Sequence, residues 1–121
     1  MASTPTEIVQ AFSHAVHTGD QDKARTLARE DLHFRGPLDT FNRLDDYLAA
    51  LKQLAGIVKG TEPEATVADG NQVALFYILK TVVADEPVAE WYTVENGKIA
   101  SVRAYFDARP FAPPGAAGSG H

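Results

Sequence analysis

The spacing of apolar residues changes along this chain from a helical period to a strand period. Near the start, large apolar residues recur every three or four positions, which predicts a helix that begins at Thr4 and ends at Gly19. Pro5 and Glu7 suit its first turn, since proline fits the first helical position and glutamate can close a capping box. Asp20 starts a second, shorter helix. A helical pair of this size cannot bury its own apolar stripe, so it requires a partner surface.

A short strand and a third helix follow this pair. Residues 31–36 alternate apolar and polar side chains, which predicts a strand with one charged face. Asn42 is a suitable cap for the next helix and Gly60 a suitable end, so we predict this helix to be the longest element of the chain. Its apolar stripe consists of Leu44, Tyr47, Leu48, Leu51, Leu54 and Val58.

Beyond Gly60 the apolar period is two residues, which indicates β-strands. Residues 62–68 are weakly hydrophobic and suit an edge strand, whereas residues 72–83 are nearly all apolar and suit a strand buried on both faces. Residues 88–111 predict a hairpin joined through Asn96-Gly97. Because helices precede most of the strands, we predict an α+β fold in which a cone-shaped, curved antiparallel sheet packs on three helices.

The length of 121 residues suits one domain, which we place at residues 1–111. Residues 112–121 hold too few large apolar groups to pack, so we interpret them as a flexible tail. The terminal Gly-Ser-Gly-His is typical of the remnant of an engineered tag and is left out of the functional reasoning.

Charge and composition exclude several classes of function. The net charge is −5 and the eleven Lys and Arg residues are scattered, so the sequence shows no basic stripe for nucleic acid or for an anionic membrane. The chain has no cysteine, which excludes disulfides, thiolate metal ligands and a cysteine nucleophile. It shows no signal-peptide pattern and no apolar run of about 20 residues, so we predict a soluble, cytoplasmic protein.

Histidines offer the one candidate metal site. His14 and His17 are spaced i, i+3 on the first predicted helix, and His33 is a third candidate ligand. No acidic residue stands beside them at a ligand spacing, and His17 more simply complements the negative end of the helix dipole. We therefore predict no metal and no cofactor.

Three stretches resemble a known family: LHFRGPL in the first strand, the third helix, and NGKIASVRAYFDARPF at the end. Over residues 7–111 the chain resembles the SnoaL-like branch of the nuclear-transport-factor-2-like (NTF2-like) superfamily, and the last stretch is most similar to limonene-epoxide hydrolases. The resemblance implies a ketosteroid-isomerase-like cone with a cup for a small hydrophobic molecule, and a homodimer. It leaves the reaction open, because this superfamily hosts isomerases, cyclases, dehydratases, epoxide hydrolases and non-catalytic modules.

This chain differs from the epoxide hydrolases at three positions, and the difference reduces the number of reactions that the resemblance implies. Those enzymes activate water with an Asp-Arg-Asp set, and the corresponding positions here hold Gln72, Ala74 and Ala104. A methyl group cannot take the role of a carboxyl in proton transfer, so epoxide hydrolysis is disfavoured. The resemblance then implies an acid–base isomerase, cyclase or dehydratase acting on a hydrophobic carbonyl-type substrate. A non-catalytic ligand-binding or dimerisation module is the alternative.

The turn decides which side of the last hairpin faces the cup. With a two-residue turn at Asn96-Gly97, Glu90 shares a face with Arg103. With a three-residue loop and a bulge at Gly97, Glu90 shares a face with Ala104. We favour the second, because a core face carrying Arg103 would be costly. The inward side chains are then Val88, Glu90, Tyr92, Ala100, Val102, Ala104 and Phe106.

The first strand has two possible orientations. Its alternation alone suits Leu32 and Phe34 in the core. The family resemblance instead favours His33 and Arg35 facing the cup, because they correspond to polar positions that line the pocket of the epoxide hydrolases. We adopt that orientation. The opposite wall of the cup would consist of Gln72, Ala74, Phe76 and Ile78.

Glu90 and His33 are the main catalytic candidates. Burial raises the pKa of a carboxyl and a histidine titrates near neutrality, so this pair could move a proton next to a carbonyl group. Arg35 and Tyr92 would orient a polar group of the substrate. The alternative is a structural ion pair between Glu90 and Arg35 or Arg103.

Asp107 is a further catalytic candidate, near the mouth of the cup. Its alternative role is a surface ion pair with Arg109 or Arg103. The remaining predicted substrate-binding residues are Gln72, Phe76, Val102, Ala104, Phe106, Phe12 and Tyr47.

The outward face of the hairpin carries Trp91, Thr93, Arg103 and Tyr105. Tryptophan, tyrosine and arginine are enriched at the centres of protein interfaces. We therefore predict a homodimer through the outer face of the sheet, with the half-exposed sheet of a monomer as the alternative.

Overall fold

The computed structural model describes residues 3–111 and shows three helices packed on a six-stranded sheet. The helices are α1 (Pro5–Thr18), α2 (Gln21–Leu27) and α3 (Leu44–Leu54). The strands are β1 (Ala28–Arg35), β2 (Thr40–Phe41), β3 (Val58–Asp69), β4 (Gln72–Thr81), β5 (Asp85–Glu95) and β6 (Lys98–Tyr105), and a 3₁₀ turn spans Arg109–Phe111. The tail predicted at residues 112–121 lies outside the described residues.

The sheet is curved and unclosed, with the strand order β2-β1-β6-β5-β4-β3. The α+β cone predicted from the sequence is confirmed. One detail differs, because β1 and β6 run parallel while the other neighbouring strands run antiparallel. Strand β3 lies at an edge, as its weak hydrophobicity predicted, and most of its side chains are exposed.

The first two helices have the predicted caps. The Thr4 hydroxyl accepts the N–H of Glu7, and the Glu7 carboxylate accepts the N–H of Thr4, which closes the capping box. Gly19 ends α1 with a φ of 82°, a conformation that favours glycine. Asp20 then caps α2 by accepting the N–H of Lys23. The residues that α1 buries are Ile8, Val9, Phe12 and Ala15.

Helix α3 is shorter than predicted and lacks the predicted cap. It ends at Leu54, and Val58 already begins β3, so Gly60 lies inside a strand and α1 is the longest helix with 14 residues. The β-branched residues after the helix favour an extended backbone. Asn42 does not cap the helix, because its side chain hydrogen-bonds to His33.

Strand β4 alternates between the two faces, so the prediction that both faces are buried was wrong. Its inward side chains are Val73, Leu75, Tyr77 and Leu79, and its outward ones are Gln72, Ala74, Phe76 and Ile78. Helices cover only one face of the sheet, so the other face remains open to solvent as in many antiparallel sheets.

The β5–β6 hairpin combines features of both predicted turns. Asn96 and Gly97 have φ values of 52° and 78°, which gives the two-residue turn, so the preference for a three-residue loop was wrong. The register then shifts by one residue at Ala100, and Glu90 lies opposite Ala104 as predicted. The extra residue also turns Ile99 inward, where it is fully buried, instead of Ala100.

Candidate active site

A cavity of about 460 Å³ lies between the concave face of the sheet and the helices α1 and α3. Its lining is mainly apolar and aromatic, and it includes Phe34, Leu51, Leu54 and Phe106. The 3₁₀ turn contributes Phe111 at one side. Few polar side chains reach the cavity, so each of them can fix the orientation of a bound molecule.

Glu90 on β5 is the buried carboxyl of this cavity. It is 8% exposed, and its Oε1 accepts a hydrogen bond of 2.7 Å from the hydroxyl of Tyr92. Burial raises the pKa of Glu90 above 4.5, while the Tyr92 hydrogen bond, the charge of His17 and the nearby Tyr77 hydroxyl act in the opposite direction. The site therefore favours a carboxyl that gains and loses a proton at a higher pH than an exposed glutamate.

Tyrosine side chains surround this carboxyl. Tyr47 and Tyr77 line the cavity, whereas Tyr92 is 1% exposed and packs in the core below Glu90. Burial, together with the charge of Glu90, raises the pKa of all three phenols well above 10.0. They are thus hydrogen-bond donors over the whole physiological pH range. Tyr47 is held by stacking on Phe34, with ring centroids 4.4 Å apart.

His17 and Tyr77 also line the cavity, although the sequence analysis considered His17 only as a metal ligand or a partner of the helix dipole and did not name Tyr77. His17 is in the last turn of α1, lines the cavity, and meets the ring of Tyr77 edge-on at 5.4 Å between centroids. Its Nδ1 lies 3.3 Å from the hydroxyl of Ser13. The alternation of β4 could have identified Tyr77, because Tyr77 lies on the same inward face as Val73. His17 had no comparable signal, since its contact joins elements far apart in sequence.

A second inward carboxyl, Glu86, lies before Glu90 on the same face of β5. It is 9% exposed and accepts the backbone N–H of Asp107 at 3.1 Å. This bond ties the start of β5 to the segment that follows β6. Glu86 is not among the residues that line the cavity, so its role is structural.

The predicted orientation of the first strand was wrong. Leu32 is fully buried and Phe34 lines the cavity, while His33 and Arg35 are exposed on the other face. His33 is held there by a hydrogen bond of 2.8 Å between its Nδ1 and the side chain of Asn42. Burying two charged side chains without partners would have been costly, which the alternation of the strand already indicated.

Two further predicted substrate-binding residues lie outside the cavity. Gln72 faces outward, and its Oε1 accepts hydrogen bonds from Trp91 Nε1 at 2.6 Å and from the Thr93 hydroxyl at 3.0 Å. Phe76 is 39% exposed on the same outer face. Both predictions assumed that the even-numbered residues of β4 point inward. In the structure the odd-numbered residues, from Val73 onward, point inward.

Asp107 lies away from the cavity and pairs with Arg109. Its carboxylate accepts three contacts of 2.6–3.1 Å from the Arg109 guanidinium and the N–H of the same residue at 3.0 Å. These hydrogen bonds lower the pKa of Asp107 to about 2. A carboxylate held in its charged form by an arginine suits the surface ion pair that was the alternative prediction.

The other predicted site residues occupy the inner face. Ala104, Phe106 and Tyr47 line the cavity, and Val102 is fully buried beside it. Phe12 is also fully buried but lies behind the lining, where its ring meets Tyr47 and Tyr92. The structure therefore brings together Glu90, its tyrosines and Ala104, and it separates them from His33, Arg35 and Asp107.

Within residues 3–111, no group of three His, Asp or Glu side chains is arranged to hold a metal ion. No helix in this same range is both long and apolar enough to cross a membrane.

The curved sheet and its three helices define an NTF2-like α+β protein. The profile of the SnoaL-like domain matches residues 9–102, and the chain belongs to this family. An NTF2-like protein of unknown function from Cytophaga hutchinsonii is similar in structure, with a TM-score of 0.81 and 25% identity over 92% of this chain and 96% of that one. No curated protein sequence matches the chain.

Two structural neighbours have names that state an activity, and their low sequence identity means that the likeness extends to the fold only. An LEH-like epoxide hydrolase of M. tuberculosis has a TM-score of 0.73 and 22% identity, covering 86% of this chain and 83% of that one. A putative polyketide cyclase of Sinorhizobium meliloti has a TM-score of 0.73 and 15% identity, covering 81% and 93%.

Proposed function

We propose that this protein is an acid–base enzyme in which Glu90 transfers a proton at a carbon next to a carbonyl group. The single observation that carries this proposal is a carboxyl, 8% exposed, at the wall of a mainly apolar cavity of about 460 Å³. A cavity of this size suits a small hydrophobic molecule. The reaction class is that of an isomerase, cyclase or dehydratase.

The proton transfer follows from the chemistry of the lining. The charged form of Glu90 takes a proton from the carbon, so that a C–H bond breaks, an O–H bond forms, and the electron pair moves to the carbonyl oxygen. The raised pKa of Glu90 makes it a stronger base than an exposed glutamate. Returning the proton to another carbon of the substrate completes an isomerisation. In a cyclisation the enolate carbon bonds to a second carbonyl carbon of the same molecule, the π bond of that carbonyl breaks, and its oxygen takes the proton from Glu90.

Tyr47 and Tyr77 are the candidates for holding the developing enolate oxygen. Both phenols line the cavity and remain protonated, because burial raises their pKa well above 10.0. A hydrogen bond to an oxygen that gains charge is stronger in the transition state than in the ground state. Tyr92 has a different role, since its hydroxyl already donates to Glu90 and so positions the base.

Epoxide hydrolysis is less favoured than proton transfer. Glu90 is paired across the strands with Ala104, whose methyl stands where the resemblance places an aspartate of the epoxide hydrolases. The Asp-Arg-Asp set needs two carboxyls and an arginine, whereas the described lining of this cavity has one buried carboxyl, Glu90, and no arginine.

The proposal is tested by exchange of carbon-bound protons in D2O, followed by NMR, for a panel of small hydrophobic ketones. We expect the protein to catalyse exchange next to the carbonyl, and Glu90→Gln to abolish that exchange while still binding the ketone. Glu95→Gln, on the exposed end of the same strand, is the matched control and should behave as wild type. The proposal is wrong if ketones bind but do not exchange, or if Glu90→Gln exchanges at the wild-type rate.

We also propose that two copies of the chain associate through the outer face of the sheet. Two large apolar side chains are exposed there on the neighbouring strands β3 and β4, Val67 at 58% and Phe76 at 39%, apart from the ends of β1 and β6. An exposed group of this kind is typical of an interface. If turnover were absent, this association and ligand binding in the cavity would be the remaining functions.

A further inference from the structure

Arg35 and Arg103 stand side by side on the outer face of the sheet. They are paired in register across the parallel strands β1 and β6, and both side chains are exposed. Residues paired across neighbouring strands lie about 5 Å apart and project to the same face. Two positive charges at this spacing repel each other, so an anion that binds to both of them removes an unfavourable interaction.

The described residues do not supply such an anion. The chain has six arginines, and four of them form ion pairs with carboxylates: Arg25, Arg29, Arg43 and Arg109. Within residues 3–111, the two that form none are the two that are adjacent to each other. The chain has 16 Asp and Glu residues against 11 Lys and Arg residues, so carboxylates are available, but none within residues 3–111 pairs with Arg35 or Arg103.

Trp91 fixes the position of one of the two guanidinium groups. The Cζ of Arg103 lies 4.7 Å from the centroid of the Trp91 ring, and the ring is held in turn by its hydrogen bond to Gln72. Stacking of this kind orients the planar guanidinium and reduces the conformational entropy lost when it binds an anion. Its N–H groups remain available for the two oxygens of a carboxylate or phosphate.

The two arginines border a depression of about 440 Å³. Tyr105 adds a phenol to its lining, which also includes Gly36 and Pro37, after β1, and Ala104 and Phe106. These last four residues also line the main cavity. The depression therefore lies directly beside the mouth of the cavity, at the ends of β1 and β6.

We propose that Arg35 and Arg103 form a binding site for an anionic group, a phosphate or a carboxylate, at the mouth of the cavity. The anion replaces the missing carboxylate partner and relieves the repulsion between the two guanidinium groups. It is either a free ion or the charged end of a molecule whose apolar part lies in the cavity. The site does not depend on proton transfer by Glu90.

The chain contains its own reporter for this site, because Trp91 is its only tryptophan and touches Arg103. Inorganic phosphate, titrated at constant ionic strength, should change the Trp91 fluorescence with saturation in the millimolar range. Arg35→Gln keeps the stacked pair intact and should weaken binding at least tenfold. Arg43→Gln, at an exposed arginine elsewhere, should leave it unchanged. Calorimetry replaces fluorescence for Arg103→Gln, which removes the stacking contact itself.

A comparison of decanoate with decanol distinguishes the two sources of the anion. Decanoate binding more tightly than decanol, competing with phosphate and requiring Arg35, assigns the site to the charged end of the cavity ligand. Equal binding of the two compounds, with phosphate binding retained, assigns it to a free ion. The proposal is overturned if neither phosphate nor decanoate binds more weakly to Arg35→Gln. It is also overturned if the arginine variants change the mass of the protein in solution, since the pair would then be an assembly contact.

Discussion

The two faces of the β5–β6 hairpin place ionisable and aromatic side chains in opposite environments. On the inner face, Glu90 and Tyr92 are buried beneath the helices and share a hydrogen bond. On the outer face, one residue away along each strand, Trp91 and Arg103 stack in contact with solvent. The alternation of a strand thus separates a group that can exchange protons from groups that recognise charge. The backbone is common to both, so the difference between the faces comes from the residue types and from their burial.

Two carboxyls on the inner face sharpen this comparison. Glu86 and Glu90 are similarly buried, at 9% and 8% exposure, and lie on the same side of β5. Glu86 accepts a backbone N–H and is closed off, whereas Glu90 accepts a tyrosine hydroxyl and borders an open cavity. Burial by itself therefore does not make a carboxyl a catalytic candidate; access to a cavity is the second requirement.

The largest expected difference between the faces is in activity. Glu90→Gln should lower kcat/KM by about 10²–10⁴-fold, the usual contribution of a general base. The outward Thr93→Ala, three residues along the strand, should remain within a factor of two or so of wild type. Steady-state kinetics on a ketone that exchanges its protons measures both. Equal losses in the two variants would show that the hairpin matters only for folding.

Stability should differ between the faces in the same direction. Phe12→Ala empties a fully buried site under the sheet and should cost about 3–5 kcal/mol of unfolding free energy. Phe76→Ala on the outer face, where the ring of a single copy is 39% exposed, should cost about 1 kcal/mol or less in a monomer. Urea denaturation compares the two substitutions in the Val67→Glu chain, which we expect to be monomeric. A larger loss at Phe76 than at Phe12 in that chain would contradict the difference in burial between the faces.

Association through the outer face predicts a change in mass. Sedimentation of the wild-type chain at micromolar concentration should give twice its monomer mass of 13.1 kDa. Val67→Glu places a charge in the exposed apolar group of β3 and β4 and should yield the monomer, while Lys98→Glu at the hairpin turn serves as a control for charge. A wild-type mass of 13.1 kDa would rule out the dimer.

The pH dependence of stability tests the burial of Glu90. Because its folded pKa is raised, Glu90 contributes stability that is fully present below about pH 4.5 and is lost as the pH rises through the folded pKa. The wild type should therefore lose stability relative to Glu90→Gln over this rise, by about 1.4 kcal/mol for each unit of pKa difference. Urea titrations at several pH values would contradict this if the difference did not change.

The smallest effect is expected from removing the Tyr92 hydroxyl, which positions Glu90, and it should appear in the pH dependence of the rate. Tyr92→Phe removes the hydroxyl that lowers the pKa of Glu90. The acid limb of the rate profile should move to higher pH, by about one unit or less, with the maximal rate nearly retained. A purely structural role for Tyr92 would lower the rate at all pH values without moving the limb.

Much of this architecture could be predicted from the sequence, because it depends on local signals. The capping residues Thr4 and Asp20 set the first two helices, and the parity of Glu90 set the inner face of the last hairpin. The prediction assumed a three-residue turn, whereas the turn has two residues. The bulge at Ala100 shifts the register by one residue, so that Glu90 still lies opposite Ala104. No local signal in the sequence indicates that bulge, which lets the large side chain of Ile99 reach the core.

The site was less predictable, because its members meet only in three dimensions. The direction of β1 was assigned from the family resemblance, although the apolar side chains of Leu32 and Phe34 indicated the correct orientation. His17 and Tyr77 come from α1 and β4, and the sequence carries no sign that they touch. The pairing of Arg35 with Arg103 likewise depends on the parallel register of β1 and β6.

The most direct test of the central claim is a ¹³C NMR titration of the glutamate side-chain carboxyls, with Glu90→Gln used to assign the Glu90 signal. We predict that Glu90 titrates clearly above 4.5, and that a bound hydrophobic ketone shifts its signal. A Glu90 carboxyl that titrates at or below 4.5, with a signal unaffected by any such ligand, would contradict the account of a buried base at the wall of a binding cavity.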